Sequence, residues 1–258
     1  MPLHDQEDFI IDRFKELESE LPEEVKKPHD ATFLIIILFI RKVFKKYESL
    51  PDDSTKYILI RQEFDRMKIF EQIKTHYGNM GLKFVDFMKG LLDNNYAKAV
   101  EHTNLMLGNE ETLAPEYEEP ASVKGWLGES AIQGVEMVGL ILVLLSQKKS
   151  VEEIVPAIQK LSEGQAYKAT RLARTETAQI LNDTALSIYA LSGVTKVRWT
   201  DATEKLVFRS GKKRITKICS RCREYATGGE GGKGIYPINQ LPSPCPAHPN
   251  CRCTIIPL

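Results

Sequence analysis

The first 218 residues of this 258-residue chain contain no cysteine. A disulfide scaffold is thereby excluded for most of the protein, since all five thiols lie in the last forty residues. No apolar run reaches the roughly twenty residues that a membrane-crossing helix needs. Residues 31–40 are bracketed by Asp30 and Arg41-Lys42, and residues 135–145 contain Glu136 and end at Ser146-Gln147-Lys148-Lys149. Both stretches read as helices buried on most sides, with no membrane as partner. Met1-Pro2-Leu3-His4-Asp5 opens acidic and polar, unlike a secretory signal. The glycine-rich run 227–234 lacks a Gly-Lys-Ser/Thr ending and opens no helix, which excludes a nucleotide phosphate loop; it reads as a flexible excursion. No His-x-Glu precedes a cysteine pair, so the zinc deaminase pattern is missing, and no other acid–base constellation stands out. The expectation is that the chain is not an enzyme.

Net charge is also absent, because 35 basic residues cancel 35 acidic ones. The cancellation is uneven along the chain. Residues 1–30 carry a net −6, residues 31–158 a net −3 and residues 159–258 a net +9. An acidic head and a basic tail suit polar partners of opposite sign, or nucleic acid at the basic end.

What the last forty residues hold is Cys219-Ser220-Arg221-Cys222 and, further on, Cys245-Pro246-Ala247-His248-Pro249-Asn250-Cys251-Arg252-Cys253. Two thiolates separated by two residues present their sulfurs to one point, and a later His/Cys group completes a tetrahedron around zinc. Disulfides would leave one of five thiols odd and need an oxidising compartment. Zn2+ is therefore the expected cofactor. Cys219 and Cys222 form the first pair of ligands, and the second pair comes from His248, Cys251 and Cys253. Cys245, fenced by Pro244 and Pro246, is the weakest candidate. Four protein ligands close the site, so the metal is structural.

Taken in order, the chain reads as mostly helical up to residue 150. Residues 5–20 show helical periodicity, Pro22 and Pro28 break it, and a second helix spans residues 30–47. Pro51-Asp52-Asp53-Ser54 signals a turn and an N-cap, a third helix runs to about Tyr77, and Gly78-Asn79-Met80-Gly81 stops it. Residues 82–107 and 121–145 are two further helices, separated by a loop, and the glycines of the second allow close packing. Ser150-Val151-Glu152-Glu153 has the form of a capping box opening a short helix to Leu161. From Ala169 onward Leu172, Ala173, Ile180, Thr184, Ile188 and Leu191 make one apolar stripe with Glu176 inside it. Glu176 then needs a polar partner other than Arg174, which lies on nearly the opposite side of the helix. Ser192-Gly193 ends that helix, and residues 194–200 alternate as a strand through Val197 and Trp199. A basic-tipped hairpin over residues 205–218 offers Arg209, Lys212, Lys213 and Arg214 as phosphate contacts. Residues 251–256 return as a last strand. The fold class is α+β: a helical region, residues 1–150, followed by a small domain, residues 151–258, with a long helix, a short antiparallel sheet and a Cys/His knuckle.

His248-Pro249-Asn250-Cys251-Arg252-Cys253 followed by Thr254-Ile255-Ile256-Pro257 resembles the terminal signature of the phage Mu F-like family of minor head proteins. Ala173-Arg174-Thr175-Glu176-Thr177, Asn182, Gly193, Trp199 and the Cys-x-x-Cys stand upstream in the family's order. The likeness covers residues 164–258; on the reading of the residues themselves, Arg174, Glu176 and Trp199 are expected to be structural polar anchors. The hairpin at residues 204–217 and the long glycine-rich loop depart from the commoner members. The resemblance implies a minor capsid protein of the tailed-phage virion, held near the portal vertex and present in the infected bacterium's cytoplasm during assembly. It implies roles in head morphogenesis and in DNA packaging or ejection. The portal protein is the implied partner, with packaged double-stranded DNA and scaffold or capsid protein as further ones. On the charge split, residues 1–150 would dock on the portal and the basic part would face DNA. The alternative reading is a zinc-ribbon nucleic-acid-binding protein.

Overall fold

The computed structural model describes the backbone of residues 4–201, 219–249, 251 and 253–258, with side chains from Val25 onward except Asp201. Five long helices come first: α1 (His4–Lys46), α2 (Ser54–Arg66), α3 (Ile69–Leu107), α4 (Ala121–Ser146) and α5 (Val151–Leu191). Strand β1 (Lys196–Asp201), helix α6 (Ser220–Thr227), strand β2 (Ile235–Pro237), a 3-10 turn (Ile238–Gln240) and strand β3 (Cys253–Pro257) follow. The protein is α+β, mostly helical, with one small antiparallel sheet. It divides into two compact units that are not contiguous in sequence. One comprises residues 22–88 and 120–170; the other comprises residues 1–21, 89–119 and 171–258. The sequence-based boundary at residue 150 falls in the turn between α4 and α5, inside the first of these.

In the all-helical unit several breaks expected from the sequence are bridged. Pro22 and Pro28 do not end α1, which is one helix of 43 residues. Each proline removes one donor but keeps a helical φ. The inward residues Val25, His29, Thr32, Ile36, Ile40 and Val43 recur at three- and four-residue steps straight through Pro28, so burial outweighs the missing bond. Asp53 is the N-cap of α2, its carboxylate accepting from the amides of Thr55 at 2.8 Å and Lys56 at 3.1 Å. That helix ends at Arg66, eleven residues before the expected end near Tyr77, with Lys68 left-handed at φ 51°. Gly78 and Gly81 instead lie inside α3. A Cβ at Gly81 would sit 2.6 Å from Ser130 Cβ on α4, so this glycine sets a close helix crossing and breaks nothing.

The α4 glycines divide in role. A Cβ at Gly134 would lie 3.1 Å from Tyr77 Cβ, whereas one at Gly125, Gly128 or Gly139 would meet nothing within 4 Å. Its 26 residues are long and apolar enough, by length and composition, to cross a membrane, and a third of the apolar window is buried. Met137, Val138, Ile141 and Leu145 join Ile36, Ile60, Phe64, Ile73 and Ile158 in the core, while Ile132, Val135 and Val143 are exposed. Glu153 Oε2 accepts from the Ser150 amide at 3.0 Å, as the capping-box reading requires. The helix it opens does not stop at Leu161 but continues to Leu191 through Pro156.

In the second unit, a single amide shapes the loop after α3. Asn104 Nδ2 donates to the carbonyls of Val100 and Leu113, both at 2.8 Å, and its Oδ1 accepts from the Leu113 amide at 2.9 Å. Tyr96 stacks on Tyr117 at 5.2 Å. The C-terminal half of α5 buries Ala173, Glu176, Thr177, Ile180, Leu181, Thr184, Ala185, Ile188 and Tyr189. Of the stripe read from the sequence, Leu172 is half-buried and Leu191 is 63% exposed, because the helix ends there. The Val194 amide then bonds the Tyr189 carbonyl at 3.0 Å across Gly193, whose φ is 77°.

The sheet has the order β2-β1-β3. Val197 pairs with Tyr236 on one side and Trp199 with Ile255 on the other. The amide of Trp199 donates to Gly234 at 2.8 Å, so Trp199 turns its backbone toward β2, and the opposed Ile255 turns its own to the free edge of β3. That edge is closed by α5. Asn182 Nδ2 donates to the Cys253 carbonyl at 3.3 Å, the Ile255 amide donates to Asn182 Oδ1 at 3.2 Å, and Tyr189 OH donates to the Ile255 carbonyl at 3.4 Å. One side-chain amide thus does the work of a neighbouring strand.

His29 generates a test. Burial pushes its imidazole down from 6.5 to about 4, with Nδ1 unpartnered among the described residues. The neutral ring is favoured in the folded state, so its stability is complete above pH 6.5 and is lost as pH falls from 6.5 to 4. The loss is at most about 3 kcal/mol. Urea unfolding at pH 7 and pH 4.5 is expected to show a smaller drop for His29→Leu than for the wild type.

Candidate metal centre

The CxxC motif starts a helix. Cys219 is the N-cap of α6, and Cys222 lies three residues on in its first turn, buried, where the helix dipole favours a thiolate. Helix α6 is fixed to the sheet by Tyr225, whose ring meets Trp199 edge-on at 5.1 Å and whose carbonyl accepts from Tyr236 OH at 2.8 Å. The glycine-rich run is a built turn, in contrast to the flexible excursion read from the sequence. Gly234 N bonds Gly228 O at 2.8 Å and Glu230 N bonds Ile235 O at 2.8 Å. A Cβ at Gly229 would lie 2.1 Å from Ile235 O, and one at Gly234 would lie 2.7 Å from Trp199 O. Only glycine lets α6 return so closely onto the strands.

The other half of the site comes from the loop before β3 and from β3 itself. The Cys251 amide bonds the His248 carbonyl at 3.0 Å, and Cys253 is the first residue of the strand. Cys222 joins the halves. Its Sγ lies 3.0 Å from His248 Nε2 and 3.6 Å from Cys251 Sγ. The ligand atoms make two groups within 4.8 Å, one of Cys219, Cys222 and His248 and one of Cys222, Cys251 and Cys253. All five predicted ligands therefore come together around Cys222. Cys245 belongs to neither group; its buried thiol donates to the Cys253 carbonyl at 3.2 Å.

The donor set suits a metal ion, whose identity the fold leaves open. His248 Nδ1 lies 2.8 Å from the Pro249 carbonyl. That bond requires the proton on Nδ1 and leaves the Nε2 lone pair directed at the sulfurs, the tautomer a metal-binding imidazole uses. Hydrogen bonds from Cys222 and Cys253 hold the Cys251 thiol far below its usual range, and the same bond to Cys251 pushes Cys222 far above it. A divalent cation relieves that competition by letting neighbouring thiols ionise together.

Of the expected polar anchors, Trp199 lies in this cluster with Cys222, Cys245, Cys251 and Cys253. Arg174 is half-buried, and Glu176 is 8% exposed on the inward face of α5. The charge of Glu176 helps burial and Asp93 to raise the Tyr117 hydroxyl. Arg209, Lys212, Lys213 and Arg214, with their hairpin, lie outside the described residues. Sequence reasoning placed Asn182 in a motif without a role and did not single out Tyr189. The available signal was a pair of polar groups seven residues apart, two helical turns, within an apolar stripe. No family model, curated protein or solved structure matches the chain.

Replacing Asn182 by Leu is expected to cost about 2–3 kcal/mol in unfolding free energy. It strands the buried Ile255 amide and Cys253 carbonyl together. Asn182→Asp keeps an acceptor but buries a charge, and is expected to be at least as damaging at pH 7 and less so near pH 4, as read by urea unfolding.

Proposed function

We propose that this chain is a minor head protein of a tailed phage, associated with the portal, whose C-terminal unit is held together by one structural zinc ion. The observation that carries the reading is the motif series itself. Asn182, Trp199, Cys222, His248, Cys251 and Cys253 follow the order of the Mu F-like family, and each has a contact within one packed cluster. Zinc is the metal that thiolate and imidazole donors in a closed set favour. Cys222, His248 and Cys251 are three of its ligands, and Cys219 and Cys253 compete for the fourth place. When bound, the ion neutralises the thiolates and ties α6 to β3; the chain's own part is to orient the His248 lone pair and to bury the sulfurs. No catalytic role is assigned, in keeping with a site closed by four protein ligands.

In this reading the acidic N-terminal helices, within residues 1–150, dock on the portal ring, and the basic residues 159–258 face packaged DNA, with scaffold or capsid protein as further contacts. Mass spectrometry of purified, nuclease-treated particles and proheads, quantified against the portal protein, tests it. A few copies per portal ring are expected. Absence from both overturns the head-protein reading and leaves a zinc-stabilised nucleic-acid-binding protein. Independently, elemental analysis of the purified chain is expected to give one zinc per molecule, and chelation is expected to lower its melting temperature.

A further inference from the structure

The indole nitrogen of Trp199 is an unsolved problem within the second unit. Trp199 is 1% exposed, and its Nε1–H has no hydrogen-bond partner among the described residues. An indole N–H can only donate, and leaving such a donor buried and unpaired costs about 1–3 kcal/mol. The register sets Trp199 opposite Ile255 and Asp201 opposite Cys253. Strand alternation therefore puts Trp199, Cys253 and Ile255 on one face, with Cys253 diagonal to the indole. Cys253 and Trp199 also belong to one buried cluster. A neutral thiol is a weak acceptor, whereas a thiolate is a strong one. Cys219, by contrast, is half-buried at the N-cap of α6, and its side chain makes no capping bond.

Resting on the zinc reading above, we propose that the Trp199 indole N–H donates to the Cys253 thiolate of the loaded site and makes Cys253, not Cys219, the fourth ligand. The set is then Cys222, His248, Cys251 and Cys253, three thiolates and one imidazole. Trp199 acts as a positioning residue. It touches no metal but holds the one sulfur that belongs to the sheet, so that loading the site and registering β3 against β1 become one event. A hydrogen bond of this kind is worth on the order of tenfold or more in metal retention.

Cobalt(II) alone is the probe, added to the metal-stripped full chain. Sulfur-to-cobalt charge-transfer absorption grows with the number of thiolates bound. Cys253→Ser is expected to lose about one third of the wild-type intensity and Cys219→Ser to keep it, as three thiolates predict. Trp199→Phe preserves the ring and removes the N–H. It is expected to keep the full intensity, to shift the band to lower energy because the sulfur loses its donor, and to surrender cobalt to a competing chelator about tenfold faster. A packing role alone would leave the band energy in place. If Cys219→Ser loses the third and Cys253→Ser does not, or if the Trp199→Phe band and release rate match wild type, the proposal is overturned while the metal site stands. A wild-type chain that takes up no cobalt or zinc overturns the site and the proposal together. The serine pair decides the fourth ligand even if Trp199→Phe does not fold.

Discussion

The second unit depends on how the free edge of β3 is satisfied. All five residues of that strand are buried, yet β1 covers only one of its two edges among the described residues. Buried amides and carbonyls left without partners would cost more than a small sheet can recover. Asn182 and Tyr189, two turns apart on α5, supply the missing bonds. The helix is thus both the hydrophobic floor of the sheet and its fourth strand in hydrogen-bonding terms. An edge that would otherwise invite pairing with another chain is closed from within.

The same arrangement concentrates sulfur. Cys253 sits on β3, Cys251 just before it, and Cys222 in the first turn of α6, which Tyr225 and Tyr236 hold against β1 and β2. Several thiols in one buried spot cannot all ionise without a cation, because each thiolate raises the cost of the next. The fold brings the sulfurs together, and a positive centre between them would let neighbouring thiols ionise. In this the Cys/His cluster differs from a set of buried cysteines that merely fills space, as Cys245 does by bonding a carbonyl.

Composition made the fold class legible, and the cysteine spacing made the cluster of candidate ligands legible. The N-cap at Asp53, the capping box at Ser150 and Glu153, and the helix stop at Gly193 were also readable, because each is a local hydrogen-bond arrangement written in adjacent residues. Breaks inside long helices were not. Pro28 carries a strong local preference against helix that the buried residues on either side override, and Gly81, a weaker breaker, is demanded by Ser130 on another helix, forty-nine positions away. The interleaved units were hidden for a related reason: α3 and α5 each contribute to both, so no linker marks a border. The glycine-rich turn was misread as loose because its tightness comes from contacts with Trp199 and Ile235 that its own sequence does not contain.

The strand order has a consequence for how the protein is made. During synthesis β1 and β2 leave the ribosome before β3, and the hydrogen-bonding groups of α5 that serve β3 are displayed more than sixty residues ahead of it. Until residues 253–257 emerge, β1 has a vacant side, Asn182 and Tyr189 have no strand to hold, and Cys222 waits for its sulfur neighbours. Pairing at such sequence separation is slow to form. Completion of this unit is therefore coupled to the appearance of its final strand, and a nascent chain stalled short of it exposes both a sheet edge and an unshared thiol.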